Sequence, residues 1–153
     1  MPGPLQGVKV IDLTAVLLGP FATQHLADMG ADVIKVEPPE GDLLRASGGS
    51  LGNAPAMGPI YMAANRNKES IVLDLKDPAD TALLARLVER ADVLLENFRT
   101  GVLDRLGFPV TRLHELNPGL VIGSISGFGH DGPEAGRAGY DQIAQGEGGL
   151  MSV

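Results

Sequence analysis

Four cationic side chains follow apolar segments of the chain, at places where they could bind an anionic ligand. These residues are Lys76, Arg99, Arg105 and Arg137. In an open α/β sheet, ligands bind at the carboxyl ends of the strands, so cations arriving there from separate strands would form a phosphate pocket. The alternative is that each cation is a solvated surface charge, as most lysines and arginines are.

Three carboxylates lie where they could take part in a reaction: Asp12, Asp141 and Glu147. Asp12 falls inside a predicted buried strand, which favours a hydrogen-bonded structural role. Asp141 directly follows a glycine-rich segment and could act as a base or a nucleophile. Alternatively, Asp141 begins a helix, where its carboxylate interacts with the free backbone N–H groups of the first turn. The residue types alone predict an anion pocket with one candidate acid.

The first strand–helix–strand unit, residues 8–39, sets the fold class. Segments 8–13 and 32–37 are short and rich in β-branched residues, which predicts two buried strands. Between them, a Gly-Pro pair predicts a helix start with Pro20 as the first helical residue. The helical face expected to pack on the sheet consists of Ala22, Leu26 and Met29. Two strands joined by a helix form a βαβ unit.

The remainder of the chain continues the alternation of strands and helices. Three more strands are predicted at 70–75, 92–97 and 120–125. The segment 120–125 is expected to be central because it is almost continuously apolar. Asp77 is a predicted N-cap with proline as the next residue, and 40–65 is predicted to be a long loop. The fold class is therefore α/β: a Rossmann-like open, mostly parallel sheet with helices on both faces.

The composition excludes several classes of protein. With 153 residues, of which 44% are hydrophobic, the chain can form one domain with a core. Its net charge of −7 argues against nucleic-acid binding, because a phosphate backbone requires a basic surface. The sequence has no cysteine and no apolar run long enough to span a membrane, and residues 1–4 do not resemble the basic and apolar regions of a signal peptide. We therefore expect a cytoplasmic protein that binds neither nucleic acid nor membrane.

Two common kinds of cofactor site lack their sequence signature. A dinucleotide-binding turn needs a G-x-G-x-x-G pattern after the first strand, and residues 14–20 do not contain it. Without those glycines, Glu37 is better interpreted as a solvated strand end than as a ribose-binding carboxylate. The histidines have no metal-ligand spacing, and only His130, in the glycine-rich segment, is placed to contact a ligand. We therefore expect neither NAD nor a metal.

Six longer motifs follow one another along the chain. The first three are LxGVKVIDLT at 5–14, GPFATxxLADMGADVIKVE at 19–37 and GDxxR at 41–45. The others are NRNKxSIxLDLK at 65–76, ADVLLENFRxG at 91–101 and AGYDxxAQ at 138–145. In this order they resemble the class III CoA-transferase family, of CaiB/BaiF type, which includes the α-methylacyl-CoA racemases. The motifs cover nearly the whole chain, so the resemblance is more specific than any single motif.

The resemblance implies a protein that uses coenzyme A. In the family, CoA's adenine and phosphates are held by segments that match Leu73, Lys76, Asn97, Phe98, Arg99, Arg105, Arg137 and Ala138. The match includes all four cations selected above by position. The resemblance also implies that an aspartate carboxylate attacks an acyl-CoA thioester and that a free carboxylic acid is the second substrate.

The resemblance further implies that 1–153 is the N-terminal, CoA-binding Rossmann-like domain of a longer protein. The family's nucleophilic aspartate is expected a little beyond Val153, together with a small second domain and a returning C-terminal segment. The chain alone would then be inactive, with Asp141 in a supporting role. Members of the family form interlocked homodimers, so we expect a homodimer for the full-length protein.

The resemblance includes both transferases and racemases. Racemases use a His–Asp pair where this sequence has Tyr140 and Asp141, and a phenol is a poorer base than imidazole at neutral pH. This difference favours an acyl-CoA:carboxylate CoA-transferase over an α-methylacyl-CoA racemase or epimerase. A third hypothesis is that the isolated chain is a non-catalytic CoA-binding fragment. Leu17, Leu18 and Pro38 replace polar groups of some transferases, so the sequence does not specify the acyl donor and acceptor.

Overall fold

The structure, a computed structural model, describes residues 3–49 and 57–153. Five parallel strands form a sheet at the centre of the described chain. The strands are β1 (Lys9–Asp12), β2 (Asp32–Glu37), β3 (Glu69–Val72), β4 (Val93–Glu96) and β5 (Val121–Ser124). Their order is β3-β2-β1-β4-β5, so the chain runs outward from β1 to β3 and then crosses to the other side of β1. The β1–β4 boundary is a topological switch point, where open α/β sheets bind ligands.

In the described residues, helices lie between successive strands, and one more follows β5. They are α1 (Leu18–Asp28), α2 (Pro59–Asn65), α3 (Pro78–Val88), α4 (Val102–Arg105), α5 (Val110–Leu116) and α6 (Asp141–Glu147). Asp77 caps α3 as predicted, because its carboxylate accepts the backbone N–H of Ala79 at 2.7 Å. Within 3–49 and 57–153, none of the helices has both the length and the apolar character needed to cross a bilayer.

Apolar residues cover both faces of the sheet. Successive residues of a strand point to opposite faces, so neighbours in β1 belong to different clusters. Ile11 packs in the larger cluster with Leu84 of α3 and residues of α4 and α5. Val10 packs in a smaller cluster with Ala27 of α1. Helices therefore lie on both faces, which confirms the predicted Rossmann-like α/β class, with every strand pair parallel.

The start and the buried face of α1 differ from the prediction. The helix begins at Leu18, so Pro20 is its third residue rather than its first. The residues buried on α1 are Gly19, Pro20, Thr23, Gln24 and Ala27. Met29, predicted to be buried, is 42% exposed. The apolar pattern failed because this face contains Thr23, whose hydroxyl donates to the buried Asp12 at 2.6 Å, and a hydrogen-bonded polar group can be buried.

β5 is an edge strand of this sheet, although its sequence predicted a central one. Within the described residues it pairs only with β4, and Val121 is 62% exposed. Ile122 packs against the larger apolar cluster. A short apolar run indicates burial against neighbouring elements, but it does not indicate whether a strand is paired on one edge or on both.

The segment 40–65, predicted to be a long loop, contains two short elements. A 3₁₀ turn spans Leu43–Arg45, and α2 begins with Pro59 in its first turn. Residues 50–56 of this prediction lie outside the described residues. Tyr61 and Ala64 of α2 are buried. No helix was predicted here because the segment is rich in glycine and proline. Pro59, however, lies in the first turn of α2, where proline is tolerated.

Candidate functional site

Three adjoining depressions lie at the carboxyl ends of the strands. The β2 cleft, of about 290 Å³, is lined by residues from the ends of β1, β2 and β3, among them Lys35, Leu73 and Lys76. The β4 cleft, of about 370 Å³, is lined by the segments after β4 and β5 and by the start of α6. The α4 groove lies beside the β2 cleft and is lined by Lys76 and Arg105. The arrangement matches the expected position of a ligand site in an open α/β sheet.

Most of the predicted site residues line these depressions, in two groups. Leu73, Lys76, Phe98 and Arg105 line the β2 cleft or the α4 groove. Asn97, Phe98, Arg99, Arg137 and Asp141 line the β4 cleft. Phe98 lines both clefts, so it forms part of the wall between them. Ala138 lines none of the three described depressions, although both of its neighbours line the β4 cleft.

Two residues of the first group reach the site differently from the prediction. Lys76 does not end β3, which stops at Val72; a turn brings it to the cleft, with its backbone N–H 3.0 Å from the Asp74 carboxylate. Leu73 is 2% exposed and packs in the larger apolar cluster. Its side chain therefore forms the apolar floor of the cleft, whereas the Lys76 ammonium group is free to reach a ligand in solvent.

The glycine-rich segment 126–139 closes on itself beside the β4 cleft. A Cβ atom on Gly127 would lie 2.3 Å from the Cα of Gly139, and the reverse is also true. Only two glycines permit this approach of the two ends. Thr100 ties the segment to the residues after β4, because its hydroxyl donates to the carbonyl of Ala135 at 2.9 Å. Arg137 in this loop and the residues that follow β4 line the same cleft.

Arg137 is held by exposed partners. Its guanidinium donates to Glu134 and Glu147 at 2.7 Å each and lies 4.6 Å from the ring centroid of Phe128. The hydrogen bonds to Glu147 and Glu134 raise the pKa of Arg137. An incoming anion would therefore replace existing carboxylate partners, in solvent where such exchange costs little.

Asp141 is the first residue of α6, as the alternative interpretation predicted, but its described hydrogen bond comes from a side chain and not from a backbone N–H of the first turn. Its side chain is exposed and accepts a hydrogen bond from the Gln145 side chain at 2.6 Å. It also lines the β4 cleft, so the helix-start position and a role toward a ligand are compatible. His130 is exposed and lies outside the lining of the three described depressions. In the described residues, no group of three or more His, Asp or Glu side chains could hold a metal ion.

A network of buried charges lies beneath the ends of β1 and β2. Asp12 accepts hydrogen bonds from the backbone N–H and hydroxyl of Thr14, the hydroxyl of Thr23 and the ammonium group of Lys68, the last at 3.0 Å. Lys68 also donates to Asn65 and to a carbonyl of α1. Burial lowers the pKa of Lys68, and the nearby Asp12 charge opposes that shift. Asp12 is thus a hydrogen-bonded structural group, as predicted.

Glu37 is buried, so its interpretation as a solvated strand end was wrong. It is 2% exposed and accepts hydrogen bonds from Arg45 at 2.6 and 2.7 Å, Tyr61 at 2.8 Å, Ser70 at 2.6 Å and the Asp42 N–H at 3.0 Å. Burial alone would raise the pKa of Glu37, but these donors lower it to about 2. Burial and the Glu37 charge raise the pKa of Tyr61. The segment predicted to be a loop supplies Arg45 and Tyr61, which cover the strand end.

The second buried ion pair joins Lys35 and Asp42, whose side chains are each 1% exposed and 3.0 Å apart. Neither residue is among the candidates predicted from the sequence. A signal was present, because a lysine in the middle of a predicted buried strand requires an acidic or carbonyl partner. The partner could not be identified, since it lies in the segment that was predicted to be an irregular loop.

Comparisons with known proteins identify the family to which this chain is similar. A family model described as CoA-transferase family III matches residues 5–153. The acetyl-CoA:oxalate CoA-transferase of Acetobacter aceti is 50% identical over 150 residues, which cover 97% of this chain and 38% of that protein. The succinate–glutarate CoA-transferase of Agrobacterium fabrum is 52% identical over 155 residues, covering 98% of this chain and 39% of that protein.

A solved structure shows the same similarity in three dimensions. The crystal structure of a CaiB/BaiF family protein from Brucella suis superposes with a TM-score of 0.94 at 45% identity, covering 100% of this chain and 41% of that one. The chain spans about two-fifths of the length of the relatives it matches. The family match extends over nearly every residue, and the chain belongs to the class III CoA-transferase family.

Proposed function

We propose that the full-length protein is an acyl-CoA:carboxylate CoA-transferase. This proposal rests on the family match over residues 5–153. Two relatives that are 50% and 52% identical to this chain are also named CoA-transferases. Those two relatives are named for oxalate and for succinate and glutarate. Acyl-CoA esters and small carboxylic acids, dicarboxylates in particular, are therefore the substrates to test first.

In this proposal the carboxyl edge of the sheet binds CoA. Lys76, Arg99, Arg105 and Arg137 would pair with phosphates, since charge-assisted hydrogen bonds are the strongest contacts available to such groups. Leu73 and Phe98 would supply apolar surface, and Asn97 and Ala138 belong to the same segments. Support comes from two separate arguments, position at the strand ends and resemblance to the family, which select the same four cations.

The proposed chemistry uses a carboxylate nucleophile. An aspartate, expected beyond Val153, attacks the thioester carbonyl carbon; the C–S bond breaks, CoA leaves as a thiolate and a mixed anhydride remains. The thiolate then attacks the aspartyl carbonyl, which releases the donor acid and leaves an aspartyl-CoA thioester. The acceptor carboxylate attacks that thioester, and CoA returns to form the new acyl-CoA and the free aspartate. Asp141 would support these steps from the edge of the β4 cleft.

Tyr140 favours this reaction over racemisation at the α-carbon of an acyl-CoA. It precedes α6, lines the β4 cleft and is 61% exposed. Racemases of the family place an imidazole there, and a phenol accepts a proton less readily at neutral pH. Proton removal from carbon is therefore the weaker candidate. We further propose that the full-length protein acts in the cytoplasm as a homodimer, which rests on the family resemblance.

The test uses the full-length protein with acetyl-, formyl- and succinyl-CoA as donors and oxalate, succinate and glutarate as acceptors. Mass spectrometry of the products should detect a new acyl-CoA whose carboxylic acid came from the acceptor. A parallel incubation with a 2-methylacyl-CoA, followed by chiral analysis, measures racemisation. Racemisation without CoA exchange would overturn the proposal. Tight CoA binding without either reaction would favour a non-catalytic CoA-binding protein instead.

A further inference from the structure

The turn between β1 and α1 forms a ridge between the two clefts. Thr14 and Ala15 line the β2 cleft, whereas Leu18 lines the β4 cleft. The residues at the top of the ridge, Val16 and Leu17, are 45% and 50% exposed. Because this turn lies at the topological switch point and lines both clefts, a ligand that extended from one cleft into the other would lie close to it.

The ridge contains a strained residue. Val16 has φ of +68°, in the left-handed region, and it is not glycine. A β-branched residue is a genuine outlier there, because its Cβ approaches the backbone. Such a conformation persists only when the surrounding structure enforces it, and strain of this kind clusters at functional sites. The groups that enforce it can be identified from the backbone hydrogen bonds of the turn.

Asn97 holds the middle of the turn at two points. Its side-chain oxygen accepts the N–H of Ala15 at 2.9 Å, and its side-chain nitrogen donates to the carbonyl of Ala15 at 2.8 Å. The side-chain amide of Asn97 thus binds the backbone of β1's turn as a neighbouring strand would. These contacts leave its oxygen directed at the protein rather than at a ligand.

Lys35 and Asp42 hold the residues on either side. Lys35 donates to the carbonyl of Thr14 at 2.8 Å, and the Asp42 carboxylate lies 3.2 Å from the N–H of Val16. The two charged groups also pair with each other and are almost fully buried. The backbone groups of the successive residues 14–16 are therefore all bound by side chains. These side chains are Lys35 of β2, Asn97 after β4 and Asp42, which caps the 3₁₀ turn.

We propose that Asn97, Lys35 and Asp42 are positioning residues that hold the strained ridge 14–18 between bound CoA and the exchanging carboxylates. In particular, Asn97 acts through Ala15 and makes no side-chain contact with CoA, although it belongs to a CoA-binding segment. The inference deepens the proposed CoA-transferase function and rests on it. Under this inference, Asn97, Lys35 and Asp42 hold the turn and do not themselves contact the ligand.

The experiment compares Asn97→Ala with Asn117→Ala in the full-length protein. Asn117 is a matched control: it is also half-buried, and its side chain also binds backbone carbonyls, of Val88 at 3.0 Å and Ala91 at 2.7 Å. It lies at the opposite end of the strands, between α5 and β5. Both variants lose a side chain that holds backbone, but only Asn97→Ala releases the ridge.

We expect Asn97→Ala to lower kcat by about tenfold or more, with the Kd for CoA changed by less than about threefold. Asn117→Ala should lower the urea midpoint and leave kcat within about twofold, because a stability loss alone does not displace the ridge. A weakened Kd for CoA with kcat retained would mean that Asn97 contacts CoA directly. An equal fall of kcat in both variants would reduce the effect to general destabilisation. Either result overturns the proposal.

Hydrogen exchange separates this inference from the proposed function. In the full-length protein, the peptide covering residues 13–18 should take up deuterium faster in Asn97→Ala than in the parent, and at the parent rate in Asn117→Ala. This readout does not require turnover, so it holds even if the transferase assay fails. Uptake that is unchanged in Asn97→Ala would overturn the positioning role, whatever the activity.

Val16→Gly tests the strain without removing any of the three positioning residues. Glycine adopts the left-handed conformation without strain, so the variant should be at least as stable in urea as the parent. Glycine also adopts many other conformations, so the ridge should no longer be held in one position and kcat should fall. A structural role alone would predict that stability and activity change together. A kcat equal to that of the parent would show that the strained conformation has no part in positioning.

Discussion

Ion pairs occur on both sides of the switch point, but their surroundings are opposite. On the β1–β2 side, the paired Lys35 and Asp42 side chains are each 1% exposed. On the β4–β5 side, the Arg137 side chain is 44% exposed and its partner Glu147 is 55% exposed. The acceptor in each pair is a carboxylate, and the distances are similar, 3.0 and 2.7 Å. Burial, not chemistry, separates the two regions.

The difference assigns the two regions different tasks. A buried ion pair that loses one partner leaves an unpaired charge in a poorly solvated site, so the β1–β2 network is suited to hold backbone in place. In an exposed ion pair, replacing the carboxylate by another anion costs little free energy. The β4–β5 side is therefore suited to accept an anionic ligand. Helix α6 agrees with this division, since none of its residues is buried.

Asp12→Ala should give the largest effect on stability. The substitution leaves the Lys68 ammonium group unpaired at 1% exposure and removes an acceptor of Thr14 and Thr23. We expect the free energy of unfolding to fall by about 3–5 kcal/mol, measured by urea denaturation. Adding Lys68→Met to this variant should restore part of the loss, because the unpaired charge is then absent. A loss below about 1 kcal/mol would contradict the assignment of a stabilising network to this side.

Acid should destabilise the protein through Glu37. Its pKa in the folded protein is about 2, below the ordinary 4.5, so the carboxylate contributes stability above pH 4.5 that is lost as the pH falls toward 2. The contribution is on the order of 3 kcal/mol. Urea midpoints at several pH values between 6 and 2.5 would measure it. Glu37→Gln should be less stable near neutral pH and show a shallower loss in acid; an unchanged slope would contradict the prediction.

On the β4–β5 side, Arg137→Ala is expected to change ligand affinity. We expect about tenfold weaker CoA binding for this variant and for Arg105→Ala, because each loses a phosphate-pairing cation. Titration calorimetry with CoA in the full-length protein measures the effect. Arg112→Ala is the control, since Arg112 forms a similar pair with Glu115 and lies outside the lining of the described depressions. If all three variants bound CoA as tightly as the parent, Arg105 and Arg137 would be solvated surface charges rather than CoA-binding residues.

Arg137→Ala should have the smallest effect on stability. Its two ion pairs are exposed, and solvent screens both of them. The urea midpoint of the variant should match that of the parent within the error of the measurement. A clear loss of stability would place Arg137 in the same structural class as Lys35 and would remove the contrast between the two sides.

The elements that were predicted correctly depend on residues that are close together in the sequence. The strand at 32–37 and the capped start of α3 at Asp77 were placed correctly, because a buried apolar run and a side-chain cap depend on neighbouring residues. The buried face of α1 was predicted incorrectly. Thr23 and Gln24 are polar, and their burial depends on partners such as Asp12 that are distant in sequence.

In the candidate site, too, local patterns located several residues, whereas the partners distant in sequence depended on the fold. Strand-end position and motif order placed Lys76, Arg105 and Arg137 at the carboxyl edge, since parallel strands bring their ends together. The partners of Lys35 and Glu37 were not predictable, because they come from the 3₁₀ turn and α2 in a segment predicted to be a loop. That Asn97 is directed at Ala15 also required the structure, since β4 lies next to β1 only after folding.

The sequence by itself determined the α/β class, the order of the motifs and the family to which the chain belongs, because these depend on residue types and spacing. Only the tertiary structure decided which charges are buried and which face solvent. Burial depends on elements that are distant along the chain and adjacent in the fold, such as Glu37 and Tyr61. Burial also makes one cation–carboxylate pair part of a scaffold on one side of the switch point, whereas exposure makes another part of a candidate CoA-binding surface on the other.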